Sequence, residues 1–179
     1  MSEGSNSPKK RVGPAKLDED KLLDYAVKTL GVRAYSAGEM RTRLRRRAES
    51  SASVDQVMAK LREYGYLNDE KFAEGFASSR ADGHGLGKQR VMRDLRVRQV
   101  SQQVAEKAIE GAFAGKDEGE MVEAFLQRKF RGKALPEWLK EPKNLAAAFR
   151  RLRYAGFSSG VSIKVLKRYS EMAAELEEA

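Results

Sequence analysis

Between Ala15 and Leu135 the chain contains no proline. A proline inside a helix removes a backbone hydrogen bond and bends the element, so its absence leaves helices free to run through this whole stretch. The residues that fill it, chiefly Ala, Leu, Arg, Lys, Gln and Glu, are good helix formers. Val and Ile are sparse and do not alternate with polar residues, which leaves strands without support. The expected fold class is all-α.

The apolar residues repeat at three and four, the spacing that places them on one helical face. Leu22, Leu23, Ala26, Val27 and Leu30 form a first stripe, which Gly31 is expected to end. Ser36 with Glu39 reads as a capping box opening a second helix, with Ala37, Met40, Leu44 and Ala48 inward. A third helix starts at Ser53, carries Val54, Val57, Met58 and Leu61, and stops at Gly65, a left-handed C′ position. Asn68 caps a fourth, with Phe72, Ala73, Phe76 and Ala77. Gly83–Gly87 reads as a flexible turn, and Val91, Met92 and Leu95 mark a fifth helix. Ser101 caps a sixth, with Val104, Ala105, Ala108 and Ile109. Asp117 precedes a seventh, with Met121, Val122, Phe125, Leu126 and Phe130. Gly132–Pro142 reads as a loop carrying Trp138. An eighth helix holds Leu145, Ala148, Phe149 and Leu152 and ends at Gly156. The ninth follows Ser158, holds Val161, Val165, Leu166 and Tyr169, and runs into an acidic tail.

Helices in groups of three invite a search for repeats. A shift of 57 residues lays Arg93, Leu95, Arg96, Ser101, Val104 and Lys107 on Arg150, Leu152, Arg153, Ser158, Val161 and Lys164. These six identities exceed the roughly one expected by chance. The first unit fits more loosely. The chain is therefore expected to divide into a disordered basic arm over 1–16, three-helix repeats over 17–66, 67–114 and 115–170, and an acidic helical tail over 171–179. A tandem array of such units buries each one's side on its neighbour and makes an elongated body.

Composition narrows the function. The chain has 35 Lys+Arg against 26 Asp+Glu among 179 residues, a formal net charge of +9, with no Cys and a single His, His84. Without Cys there is no thiolate nucleophile, disulfide frame or Cys-based metal site. No apolar run of about 18 residues is present to span a membrane, and the basic start lacks the apolar core of a secretory signal. The expectation is a cytoplasmic, non-membrane protein with a polyanionic partner.

Catalytic and cofactor motifs find little footing. Gly87-Lys88 comes nearest to a phosphate loop, but Asp82 stands where its first Gly belongs and Gln89 replaces Ser/Thr. His84 reads as a solvated turn residue. Asp18-Glu19-Asp20 suits the first turn of a helix, where the macrodipole favours acids, rather than a metal cluster. No catalytic residue, cofactor or metal is assigned. The positive signal lies in the basic clusters of the middle helix of each unit. Arg41, Arg43, Arg45, Arg46 and Arg47 crowd the second helix, Lys88, Arg90, Arg93, Arg96 and Arg98 the fifth, and Lys143, Arg150, Arg151 and Arg153 the eighth. A solvated face usually mixes signs as i,i+4 pairs, yet Glu39 and Asp94 are almost the only local acids. Guanidinium groups fork onto phosphate or carboxylate. Aromatic stacking platforms for single strands are thin: Tyr64, Tyr66 and Phe157 read equally well as core or staple residues.

The series LLDYAVKTLGVRAYSAGEMRTRL, VMAKLREYGYLNDEKFAEGFASSR and GLGKQRVMRDLRVRQVSQQVAEKAIEGA resembles the RecX family. The most specific piece is Gly65-Tyr66-Leu67-Asn68-Asp69, followed by Phe72-Ala73 and Ser79-Arg80. The resemblance covers about Leu17 to Tyr169 and thins after Ala112. Leu86, and Lys88 after Gly87, depart from the family pattern. The resemblance implies a non-enzymatic regulator: three three-helix repeats in a curved, elongated body, lying on the filament of the recombinase RecA. It further implies inhibition of filament growth, ATP hydrolysis, strand exchange and coprotease activity, in recombination, repair and the SOS response. The expected partners are the RecA filament and single- and double-stranded DNA through the backbone, met by a monomer. The residues expected to make contact are Arg41, Arg43, Arg45, Arg46, Lys88, Arg90, Arg93, Arg96, Arg150, Arg151 and Arg153, with Lys164 and Lys167 on the last helix. A helix-turn-helix-like DNA-binding protein acting without RecA is the alternative.

Overall fold

A computed structural model describes residues 15–177. Most of the basic arm and the last two residues of the acidic tail lie outside the described residues. Every regular element described is helical: α1 (Glu19–Val32), α2 (Ala37–Arg45), α3 (Ser51–Glu63), α4 (Asp69–Ser78), α5 (Lys88–Val97), α6 (Gln102–Phe113), α7 (Glu118–Lys129), α8 (Leu135–Trp138), α9 (Pro142–Ala155) and α10 (Ser159–Leu166). A π turn, Ser79–Gly83, extends α4, and a 3₁₀ helix, Glu171–Glu177, follows α10. The only extended pairing among the described residues is an isolated bridge between Leu17 and Ala48.

The chain forms two compact units. Among the described residues, one takes in 15–34 together with Glu39–Leu67, and the other Tyr35–Gly38 with 68–177. In the first, α1 packs on α3. Leu22, Ala26, Met40, Leu44, Val57, Met58 and Leu61 are fully buried there. The acids at the start of α1 serve this packing. Asp18 caps the helix by accepting from the Lys21 N–H at 3.0 Å, and Glu19 accepts from Lys60 Nζ at 2.7 Å.

In the second unit, α4 and α5 pack on α6 around Ala73, Ala77, Val91, Leu95 and Ala105. The helices α7, α9 and α10 surround Val122, Leu126, Leu139, Leu152, Phe157 and Leu166. Leu86 and Met121 pack against both clusters. Phe157 is wholly buried and meets Phe125 edge-on at 5.6 Å.

Several local expectations differ from what forms. Gly31 does not end α1, which continues to Val32; a helical glycine costs only about 1 kcal/mol. The cap of α3 is Ser50, whose Oγ accepts from the Ser53 N–H at 3.1 Å, so Ser53 lies inside the first turn. The loop around Trp138 contains α8, with Pro136 in its first turn and the indole 4.6 Å from the Phe130 ring. The last long helix breaks after Leu166, and the tail returns as a 3₁₀ helix whose Ala173 is buried beside Met172 and Leu176. Tyr169 hydrogen-bonds Glu123, and burial, then that bond, push its hydroxyl up to about 12.

Candidate functional site

Three helix ends share one geometry. After α3, α5 and α9 a residue of positive φ follows: Gly65 at 74°, Gln99 at 57° and Gly156 at 92°. In each turn two amide N–H groups bond back to the helix. Tyr66, Val100 and Phe157 reach the carbonyls of Leu61, Leu95 and Leu152 at 2.9, 3.1 and 3.2 Å. These are Schellman turns, which satisfy orphan carbonyls at a helix C-terminus. The leucine that accepts is fully buried in every case.

The last two turns have a second use. Gly156 lies so close to α5 that a Cβ on it would stand 2.2 Å from the Arg90 nitrogen, and one on Gly87 would stand 2.3 Å from the Gly156 oxygen. Through this contact the Gly87 and Gln89 N–H groups bond the Ala155 and Gly156 carbonyls at 2.9 and 3.2 Å. The orphan donors at the start of α5 are thus satisfied by the orphan acceptors at the end of α9, with the two helix dipoles aligned favourably. Within the same unit, Ser36 donates to the Arg98 carbonyl, and a Cβ on Gly38 would stand 2.5 Å from the Gln99 oxygen.

This packing sorts the expected contact residues. Arg90 lies over the Tyr154 ring at 4.7 Å and bonds Asp94 at 2.8 Å. Hydrogen bonding with Tyr154, then Asp94, raises its pKa further, so its charge is permanent. Arg93 donates to the Tyr154 carbonyl at 3.2 Å, and Arg153 to the Phe157 carbonyl at 2.7 Å. In the first unit Arg41 pairs with Asp55, and Arg43 donates to the Tyr25 hydroxyl at 2.8 Å. These five cations hold the fold together as well as carrying charge.

The remainder point outward. Arg45, Arg46, Lys88, Arg96, Arg150, Arg151, Lys164 and Lys167 are exposed. Among the described residues, the guanidinium groups of Arg45, Arg46, Arg96, Arg150 and Arg151 make no internal hydrogen bond or ion pair. Lys88, Arg93 and Arg96 border one shallow groove with Gln89, Met92 and Ile109. Arg151 and Arg90 border another cleft, together with Arg128, Lys129 and His84. Arg128 and Lys129, on α7, escaped the sequence reading because no apolar period or repeat match singles them out. His84 stands exposed in the turn with Nδ1 3.1 Å from the Ser79 carbonyl.

Family models for the first and second three-helix domains of RecX match residues 23–61 and 68–109. The regulatory protein RecX of Syntrophotalea carbinolica is 31% identical over 144 residues, covering 76% of this chain and 88% of the relative. The chain belongs to the RecX family. The RecX of Deinococcus radiodurans is 26% identical over 172 residues, covering 96% of this chain and 79% of that one. The crystal structure of RecX from Lactobacillus salivarius superposes with a TM-score of 0.65 at 15% identity, covering 85% of this chain and 96% of that one. The all-α helical array is thus a RecX fold, and curated members of the family carry the name regulatory protein. No helix among the described residues is long and apolar enough to cross a membrane.

Proposed function

We propose that this RecX-family protein binds the filament of the RecA recombinase and its DNA, and restrains filament growth, ATP hydrolysis, strand exchange and coprotease activity. It acts as a cytoplasmic monomer, without catalysis of its own. The observation that carries the reading is the set of guanidinium groups left without internal partners on the middle helices or in the turn just after α2, Arg45, Arg46, Arg96, Arg150 and Arg151. A permanently charged planar fork that the fold does not use is available to phosphate or carboxylate. Lys88, Lys164 and Lys167 add point charges, and the internally bonded arginines add to the field. The three units over 17–66, 67–114 and 115–170 would each present one such cluster. Arg and Lys dominate the clusters, and Gln89 is the one amide side chain in the groove with Lys88, Arg93 and Arg96, so contact with DNA falls chiefly on the backbone.

The experiment measures binding to RecA filaments, to RecA alone and to bare DNA across a salt series, alongside RecA ATPase and strand exchange. Affinity that falls steeply with salt and inhibition at stoichiometric ratio are expected. ATPase and strand exchange left untouched at that ratio would remove the reading. A defined duplex footprint without RecA would replace it with the helix-turn-helix alternative.

A further inference from the structure

The second unit contains a cleft bordered by His84, Arg90, Arg128, Lys129, Arg151 and Tyr154. Four of these residues are cationic and none is acidic. The cleft encloses about 630 Å³, inside the range of roughly 300–1,000 Å³ typical of small-ligand sites.

Its walls are built rather than accidental. Arg128 donates to the His84 carbonyl and lies 5.8 Å over the Phe125 ring. Gly85, at φ 58°, makes room for it, since a Cβ there would stand 2.8 Å from Nη2. That anchoring fixes the guanidinium and leaves further N–H donors of its fork unspent. Tyr154 is 69% exposed, while the Arg90 guanidinium lies over its ring at 4.7 Å. A cation thus lies against the ring while most of the side chain stays exposed to solvent. Lys129 and Arg151 are exposed beside it with no internal ion pair. A cleft with fixed and mobile cations and an exposed aromatic side chain suits a ligand that combines a phosphate with a flat ring.

We propose that this cleft takes a single nucleotide, its phosphate among Arg128, Lys129 and Arg151 and its base stacked on Tyr154. The proposal rests on the reading that the basic surface meets DNA, and it assigns one nucleotide of a single strand to one place on that surface. A free nucleotide has the same chemistry, so the test has an arm for each source.

The probe is the full chain titrated into a short oligodeoxythymidylate carrying one 2-aminopurine, and separately into the free 2-aminopurine deoxynucleoside triphosphate. Stacking quenches that fluorophore. Quenching of the oligomer alone assigns a strand, and quenching of the free nucleotide assigns a mononucleotide ligand. Tyr154→Ala is expected to abolish the quench and weaken binding roughly five- to 150-fold, the span of one base–aromatic stack, whereas Tyr154→Phe keeps both. Lys129→Ala and Arg151→Ala each flatten the salt dependence by about 0.7 in slope, one phosphate of a single strand. Full quenching by Tyr154→Ala, or no quenching of either probe by the unaltered protein, overturns the proposal. If Tyr154→Ala keeps the quench while the protein still binds the recombinase filament, the cleft fails and the wider reading stands. If filament and DNA binding are both absent from the unaltered protein, it is the wider reading that fails.

Discussion

The turns after α5 and α9 are built alike from different residues. Both carry a positive φ, both return two N–H groups to the helix, and both press a carbonyl against a glycine of another segment: Gln99 against Gly38, Gly156 against Gly87. One turn uses glycine, for which left-handed backbone is free of steric penalty. The other uses glutamine, which pays roughly 1 kcal/mol or more to sit there. The residue following each turn, Val100 or Phe157, is buried, and that burial offsets the strain. The comparison separates the two demands on such a turn. Close approach is required of the glycine that faces it, whereas left-handed backbone is only preferred in the turn itself, unless a neighbour also crowds its Cβ.

The sharpest way to break this pairing is Gly156→Ala. Its Cβ would meet α5 backbone and sit at an unfavourable φ, so a loss of at least about 3 kcal/mol is expected, read as a lowered urea midpoint. Gly87→Ala tests the facing side, where φ is ordinary and only the clash remains; a loss of about 1–3 kcal/mol is expected from the same measurement. A near-neutral result there would show that the close approach yields easily. Arg93→Ala and Arg96→Ala separate fold from surface. Arg93 holds the Tyr154 carbonyl, so its loss should lower stability by about 1 kcal/mol and weaken DNA binding. Arg96 should weaken binding alone, with an unchanged melting curve. Gln99→Gly has the smallest effect and the opposite sign. Relief of the left-handed strain should raise stability by about 0.5–1 kcal/mol, read as a higher urea midpoint, and a fall would mean that the glutamine side chain contributes more than its backbone costs.

The same turns explain what the sequence could disclose. Asn68, Ser101 and Asp117 are legible as caps because each precedes an apolar period and its side chain reaches the N–H three residues on, at 2.9, 3.5 and 2.9 Å. Gly65 and Gly156 are legible as stops because glycine is the usual left-handed residue. Gln99 is not, since nothing in a glutamine announces a positive φ. Ser50 and Ser53 compete for one cap within a run of serines, and spacing does not choose between them. The helix Leu135–Trp138 is too short to show a period at all. The arginines were legible as clusters, but their division was not. Whether Arg93 holds a carbonyl or faces solvent depends on Tyr154, 61 residues away, and sequence periodicity carries no information at that range. For the same reason the cleft between the turn at His84 and the ends of α7 and α9 could not be foreseen, although two of its four cations, Arg90 and Arg151, could be named.

The single tryptophan gives this chain a localised optical reporter. Trp138 lies against Phe130 beside the cluster around Leu139 and Phe157, so its emission follows the packing of that neighbourhood and no other. Circular dichroism sums over every helix. Plotting the two signals together against denaturant therefore tells whether the C-terminal part of the molecule comes apart in step with the rest or ahead of it, with no label attached.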